Sequence, residues 1–206
     1  MIILGTIIVL AIFHVIGWAI ATEMFQQRAW RKRAAEGDSD MVRALLDEAF
    51  ASWQRARPPR GLPAHLWAGV QGAQIVATTD DSAQVSSSAE GEFRTEEGRR
   101  VQVSTALDEA MALAAKLVDM LLYDVPNLRL ASVRVDIYST FTGSDGTPVQ
   151  QPILTTLATR ADAEDLVWEA MSPAEVLGRF ETRYERGPTG QATPLELDPF
   201  LVAEAV

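Results

Sequence analysis

The sequence predicts an α+β protein: a single N-terminal transmembrane helix followed by a small cytoplasmic domain of antiparallel sheet plus helices. Three observations predict it. Residues 2–21, IILGTIIVLAIFHVIGWAIA, carry no formal charge, and the basic residues Arg28, Arg31, Lys32 and Arg33 follow that run rather than precede it. Beyond them, short β-patterned stretches alternate with helical ones. The expected organisation is a transmembrane helix at 1–22, a basic juxtamembrane stalk at 23–40, an amphipathic helix and Pro-rich linker at 41–60, an α+β soluble domain at 61–186 and a C-terminal tail at 187–206.

The opening run is the length of a spanning helix: twenty residues at about 1.5 Å rise give roughly 30 Å, one bilayer core. A cleaved signal peptide is the competing reading, because Ala19-Ile20-Ala21 resembles a small-residue cleavage site, but such a peptide has positive charge before a shorter apolar run. The trailing basic cluster, by the positive-inside rule, places the N-terminus outside and the rest in the cytoplasm, a single pass through the cell inner membrane. Trp18, Phe25 and Trp30 suit the inner interfacial belt, with Arg28, Arg31, Lys32 and Arg33 as membrane-interface anchors. His14 sits near the middle of the span, where an ionisable side chain is disfavoured unless it meets a partner. Steps of three and four from it give Thr6, Leu10, His14, Gly17 and Ala21, a stripe small enough at one end for another helix to pack closely. Two roles for His14 follow, an interhelical hydrogen bond or contact with a tetrapyrrole such as haem or a chlorophyll. The second is the one cofactor the sequence suggests.

Glu23 to Asp40 is polar and reads as a stalk that Gly37 interrupts. Ser39 or Asp40 caps a helix over about 41–56, with Met41, Val42, Leu45, Leu46, Ala49, Phe50 and Trp53 at helical spacing. Arg57-Pro58-Pro59-Arg60-Gly61-Leu62-Pro63 ends it as a linker. Residues 66–103 read as strands: Gln74–Thr78, Ala83–Ser87, and a hairpin of Glu92-Phe93-Arg94 with Arg100–Val103 around Thr95–Gly98. The central helix, Ser104 to about Tyr123, is apolar on more than one face through Leu107, Met111, Leu113, Leu117 and Leu121, and should be largely buried. Leu130–Phe141 alternates Val133, Val135 and Ile137 with Arg134, Asp136 and Tyr138. A turn at Gly143–Gly146 leads to a partner strand over Ile153–Thr159, expected to start beyond Pro152 because proline cannot donate to a ladder. A short helix at 161–170 and another at 173–184, opened by Ser172-Pro173-Ala174-Glu175, complete the domain. Pro199-Phe200-Leu201-Val202 is an apolar tail in need of a docking site.

Composition removes much chemistry. There is no cysteine among the 206 residues, and the only imidazoles are His14 and His65, so disulfides, thiolate nucleophiles and Cys-ligated zinc are excluded. Residues 61–206 hold 10 basic against 22 acidic side chains within a net charge of -10, which argues against nucleic acid as a partner. No GxxxxGK[ST] or GxGxxG occurs. His65 reads as a structural or surface histidine, and without a second one outside the opening run zinc is not expected. Asp80-Asp81 and Glu96-Glu97 read as solvated turns, and Asp108-Glu109 adds no clearer acid pair. Gly143–Gly146 lacks the alternating oxygen ligands of a calcium loop. Asp136 on its strand has no downstream Glu-x-Lys of the nuclease kind. Lys116, the only lysine of the domain, is expected to snorkel out of the central helix.

With no active site legible, the leading expectation is a non-catalytic accessory or assembly subunit of a bacterial membrane complex. The 16 Arg against two Lys fit GC-rich bacterial coding. The partners expected are other transmembrane subunits, a cytoplasmic protein and the lipid bilayer. One alternative, by analogy of architecture without a shared motif, is a subunit of a pigment- or haem-containing complex such as a photosynthetic reaction centre, with His14 near the cofactor. The other is a membrane-tethered enzyme of unidentified type.

Overall fold

The computed structural model describes residues 39–198 apart from Glu97, Glu169 and Thr189. The opening apolar run therefore lies outside the described residues. So do its packing stripe (Thr6, Leu10, His14, Gly17, Ala21), the interface anchors (Trp18, Arg28, Trp30, Arg31, Lys32, Arg33) and the apolar tail from Pro199.

The helical spacing of the first described segment forms α1, Ser39–Arg55, which buries Val42, Leu46, Ala49, Phe50 and Trp53. An Arg43–Asp47 pair lies on its outer side. After the proline linker comes α2, Ala64–Gln71. It is tied back to the end of α1 by Trp67 Nε1 donating to Ala56 O at 3.0 Å and Gln71 Nε2 donating to Gln54 O at 2.9 Å. Then follow β1 (Gln74–Thr78), β2 (Ser82–Ser88), and a separate hairpin of β3 (Phe93–Glu96) and β4 (Arg99–Gln102). Thr105 and Asp108 make a capping box that starts α3, Ala106–Asp119. A wider π-helical turn, Met120–Asp124, extends it. The long pair β5 (Ser132–Thr142) and β6 (Pro148–Thr159) precedes two short helices, α4 (Arg160–Ala163) and α5 (Pro173–Leu177). The described chain ends with β7 (Glu181–Arg186) and β8 (Ala192–Thr193).

Six strands form one sheet in the order β1-β2-β5-β6-β7-β8, while β3-β4 stand apart. The helix-side face is apolar by alternation. Ala83, Val85, Val133, Val135, Ile137, Leu154 and Ala158 are fully buried, and α3 packs over β5 and β6 with Leu107, Leu113, Leu117 and Leu121. Eight such leucine and valine side chains at roughly 1.5–3 kcal/mol each are the main drive for folding this layer.

The fold-class expectation is corrected in two respects. The sheet is mixed rather than antiparallel: β2 runs parallel to β5 from Ser82↔Ser132 to Ser88↔Tyr138. A parallel neighbour needs a long crossover, and the segment holding α3 supplies it. In addition, among the described residues no helix is long and apolar enough to cross a membrane. For the described residues, the expected membrane, single-pass (signal-anchor) protein is thus corrected to a mixed α/β fold with five α-helices and a six-stranded sheet.

Four local expectations change as well. Residues 64–71, expected to lead into strands, form α2, because Pro63 precedes a run with no β-branched residue before Val70. The expected helix 161–170 shrinks to α4, capped by Thr159, whose Oγ1 accepts from Asp162 N at 3.2 Å. The expected helix 173–184 stops at Leu177, with Gly178 as its C-cap residue, and Glu181–Arg186 become β7. The open edge of β6 decides this: Thr182 Oγ1 shares a hydrogen bond with Thr156 Oγ1 at 2.7 Å and donates to Leu177 O at 2.8 Å. Lastly, β6 starts at Pro148 and runs through Pro152, since a register shift skips Ile153 and the missing N–H falls at that irregularity.

Candidate functional site

The strand β2 leaves the sheet at Ser88, and the chain must then climb to the detached hairpin. Gly91 permits the climb: a Cβ there would lie 3.0 Å from the Ser104 carbonyl oxygen. Glu92 is locked beside it, its N–H donating to Ser104 Oγ at 3.2 Å and its carbonyl accepting from Val103 N at 2.9 Å. The same Ser104 hydroxyl donates to Glu109 Oε1, on the first turn of α3. Facing them, His65 at the start of α2 approaches Glu109 Oε2 with Nε2 at 2.9 Å. A carboxylate only accepts, so in this arrangement Nε2 carries the proton.

These three side chains line a cleft of about 550 Å³ between α2, the 88–92 crossover, α3 and the hairpin, with Gly69, Phe93, Arg100 and Leu113 among its other walls. The ligand atoms of His65, Glu92 and Glu109 all lie within 4.8 Å of one another. His65 is 43% exposed and Glu109 13%, so the cluster opens to solvent while Glu109 is held by its partners. The Glu92 carboxylate has no hydrogen-bond or ion-pair partner among the described residues. Glu90, also in the lining, is occupied elsewhere, accepting from Thr140 N at 2.9 Å and Ser139 Oγ at 3.1 Å.

One wall of the cleft is the hairpin. Every residue of β3 and β4 described is exposed. The pairing Phe93↔Gln102 and Thr95↔Arg100 sets Phe93, Thr95 and Arg100 on the face that looks into the cleft, leaving Arg94, Val101 and Arg99 on the other. Arg100 lies over the Phe93 ring at 4.1 Å.

A second polar group occupies the sheet face away from α3. Asp136, 1% exposed, accepts from Gln84 Nε2 at 2.7 Å, Thr155 Oγ1 at 2.6 Å and Arg134 Nε at 3.0 Å. Arg134 NH1 in turn donates to Asp198 O at 2.9 Å, and the Asp198 carboxylate pairs with Arg183 at 2.8 Å. Asp198, the last described residue, is thus held against this face. Burial first and the Asp136 charge second push the Tyr138 phenol above its usual range, against a smaller pull from Arg134, so it stays protonated. Each member is satisfied internally, which makes this a structural network.

Sequence reasoning named His65, as a structural or surface histidine, and Glu109, in an acidic pair, but joined neither to the other nor to Glu92. Positions 65, 92 and 109 have no metal-motif spacing. The one local signal was the helix start at Ser104-Thr105, which puts Glu109 on the first turn. The turn reading of Asp80-Asp81 holds, between β1 and β2. Asp108 proves to be the partner of the Thr105 cap in the capping box of α3, and Lys116 pairs with Asp119 at 2.7 Å, 27% exposed. Comparison with protein-family models, curated proteins and solved structures gave no match to this chain.

Proposed function

We propose that this chain is a non-catalytic assembly protein that works by contact, with the β3–β4 hairpin as its docking arm. The observation that carries this reading is the arm itself, a two-stranded ribbon that joins no other strand and whose described strand residues are all exposed. A lone hairpin is at best marginally stable in water. This one also exposes Phe93 (46%), Val101 (42%) and Val103 (48%), surface that association would cover. Its charge describes the partner. Arg94, Arg99 and Arg100 stand against Glu96 and Glu97 on an otherwise acidic domain, so the complementary surface is acidic around an apolar centre.

The test is native co-purification with the tagged full chain from its own cells, beside the variant Arg94→Glu/Arg99→Glu/Val101→Ser. These side chains face away from the core, so the variant keeps its circular dichroism. A stoichiometric protein companion that the variant loses supports the reading. A chain that purifies alone, or a companion retained by the variant, refutes it.

A further inference from the structure

Beyond the arm, we propose that His65, Glu92 and Glu109 form a binding site for one divalent transition-metal ion, zinc being the ion best matched. The inference does not rest on the docking role of the hairpin. The groove by Arg183, Tyr184 and Leu195 gathers no comparable set of donors among the described residues, and the Asp136 network is already satisfied.

Donor geometry comes first. Around a tetrahedral zinc with bonds of about 2.0–2.1 Å, donor atoms sit roughly 3.3 Å apart. His65 Nε2 and Glu109 Oε2 are already 2.9 Å apart, and all three donors fall within 4.8 Å. Closing the remaining gap asks only that the Glu92 side chain rotate, and that carboxylate has no partner to give up among the described residues. Binding at His65 Nε2 requires the ring N–H to sit on Nδ1, so the ligand is neutral imidazole and its contact with Glu109 is exchanged for a shared ion.

Donor chemistry then selects the ion. One imidazole with two carboxylates suits zinc or manganese, whereas calcium and magnesium prefer oxygen alone. Two negative charges balance the dication, and the open side of the cleft leaves its fourth position to water. The outer shell is in place as well, since the Ser104 hydroxyl donates to Glu109 Oε1 and accepts from Glu92 N–H, holding both ligand segments in register. The three ligands come from α2, the root of the arm and α3, so a bound ion clamps the arm's base to two helices. Ion occupancy thereby becomes a control on the arm.

The purified full chain is titrated with zinc by calorimetry and with cobalt by visible absorbance, using wild type, His65→Ala, Glu92→Gln, Glu96→Gln and His14→Ala. Expected is one zinc per chain, a cobalt band that zinc displaces, and binding weakened at least tenfold by His65→Ala and by Glu92→Gln. Glu96→Gln, on the arm but outside the cluster, and His14→Ala, the other histidine, leave it unchanged. Circular dichroism confirms that the variants remain folded. No zinc binding up to millimolar concentration overturns the site, as does binding that His65→Ala and Glu92→Gln do not weaken. The titration needs no partner protein, so its failure and failure of the co-purification are separate results.

Discussion

Replacing Asp136 is the severest single change this fold offers outside its apolar core. Asp136→Ala strips the acceptor from three donors at once: Gln84 Nε2 at 2.7 Å, Thr155 Oγ1 at 2.6 Å and Arg134 Nε at 3.0 Å. One of them is a guanidinium only 8% exposed. Breaking a buried ion pair from one side costs about 3–5 kcal/mol, because the surviving charge is left without compensation. Orphaning a neutral donor adds about 1–3 kcal/mol where water cannot reach it. Water entering the vacated space relieves part of that second contribution, so the expected loss is about 4–5 kcal/mol. With a urea slope of about 2 kcal/mol/M, the unfolding midpoint falls by roughly 2 M. Asp136→Asn keeps one acceptor oxygen and removes the charge, and falls between that variant and wild type. The decisive member of the series is Arg134→Met/Asp136→Leu, in which no charge remains to be orphaned. It recovers much of the loss while still giving up the Arg134 bond to Asp198 O. The reasoning is refuted if Asp136→Ala costs under about 1 kcal/mol, or if the apolar pair is no more stable than the single variant.

Three further outcomes are expected. Thr105→Ala removes the cap that accepts from Asp108 N at 3.1 Å and lowers stability by about 1 kcal/mol in urea unfolding; an unchanged midpoint would show that α3 needs no cap. A Cβ on Gly69 would sit 2.7 Å from Leu113 Cδ2, so Gly69→Ala destabilises wild type, the overpacking of about 1–3 kcal/mol exceeding the gain of about 1 kcal/mol in helix propensity. In a Leu113→Ala background the same substitution stabilises, and additivity in that cycle would contradict the contact. Burial first and the Asp119 charge second raise the Asp124 carboxyl above 3.8, against Lys116. The folded state then binds the Asp124 proton more tightly than the unfolded one, so stability falls as pH rises through that interval. Asp124→Asn therefore raises the melting temperature at neutral pH, and the gain disappears below pH 3.8.

Local patterns carried the elements whose partners are close in sequence. The alternation of Val133, Val135 and Ile137 and the turn before β6 were enough for the β5–β6 ladder, because a hairpin is specified by its own residues. The Thr105–Asp108 and Ser172–Glu175 boxes likewise mark where α3 and α5 begin. What escaped depended on distant neighbours. Nothing within Ser82–Ser88 says that it will lie parallel to β5, since that choice is made by the helix-bearing crossover and by burial of Ala83 and Val85 in the core. Glu181–Arg186 continues, through Tyr184, the helical apolar phase of Val176, Leu177 and Phe180, yet an unfilled edge of β6 outweighs about 0.5 kcal/mol per residue of helix propensity.

Dependence on distant neighbours also hid the cleft, but not the strands of the arm. The hairpin β3–β4 is local, so its strands were legible; its exposure was not, because exposure records the absence of a covering layer, and no layer of the six-stranded sheet reaches it. The cleft exists only because that uncovered hairpin has to leave the sheet at Ser88 and return to α3 at Ser104. The detour carries Glu92 to Glu109 on one side, while the packing of α2 on α3 at Gly69 and Leu113 carries His65 to Glu109 on the other. A donor set drawn from such closures has no sequence period. The closures also link the two proposals physically: whatever fixes Glu92 fixes the strand that begins one residue later at Phe93. If an ion sits at His65, Glu92 and Glu109, the arm meets its partner from a root clamped to two helices, losing less conformational freedom on docking and binding more tightly for that reason.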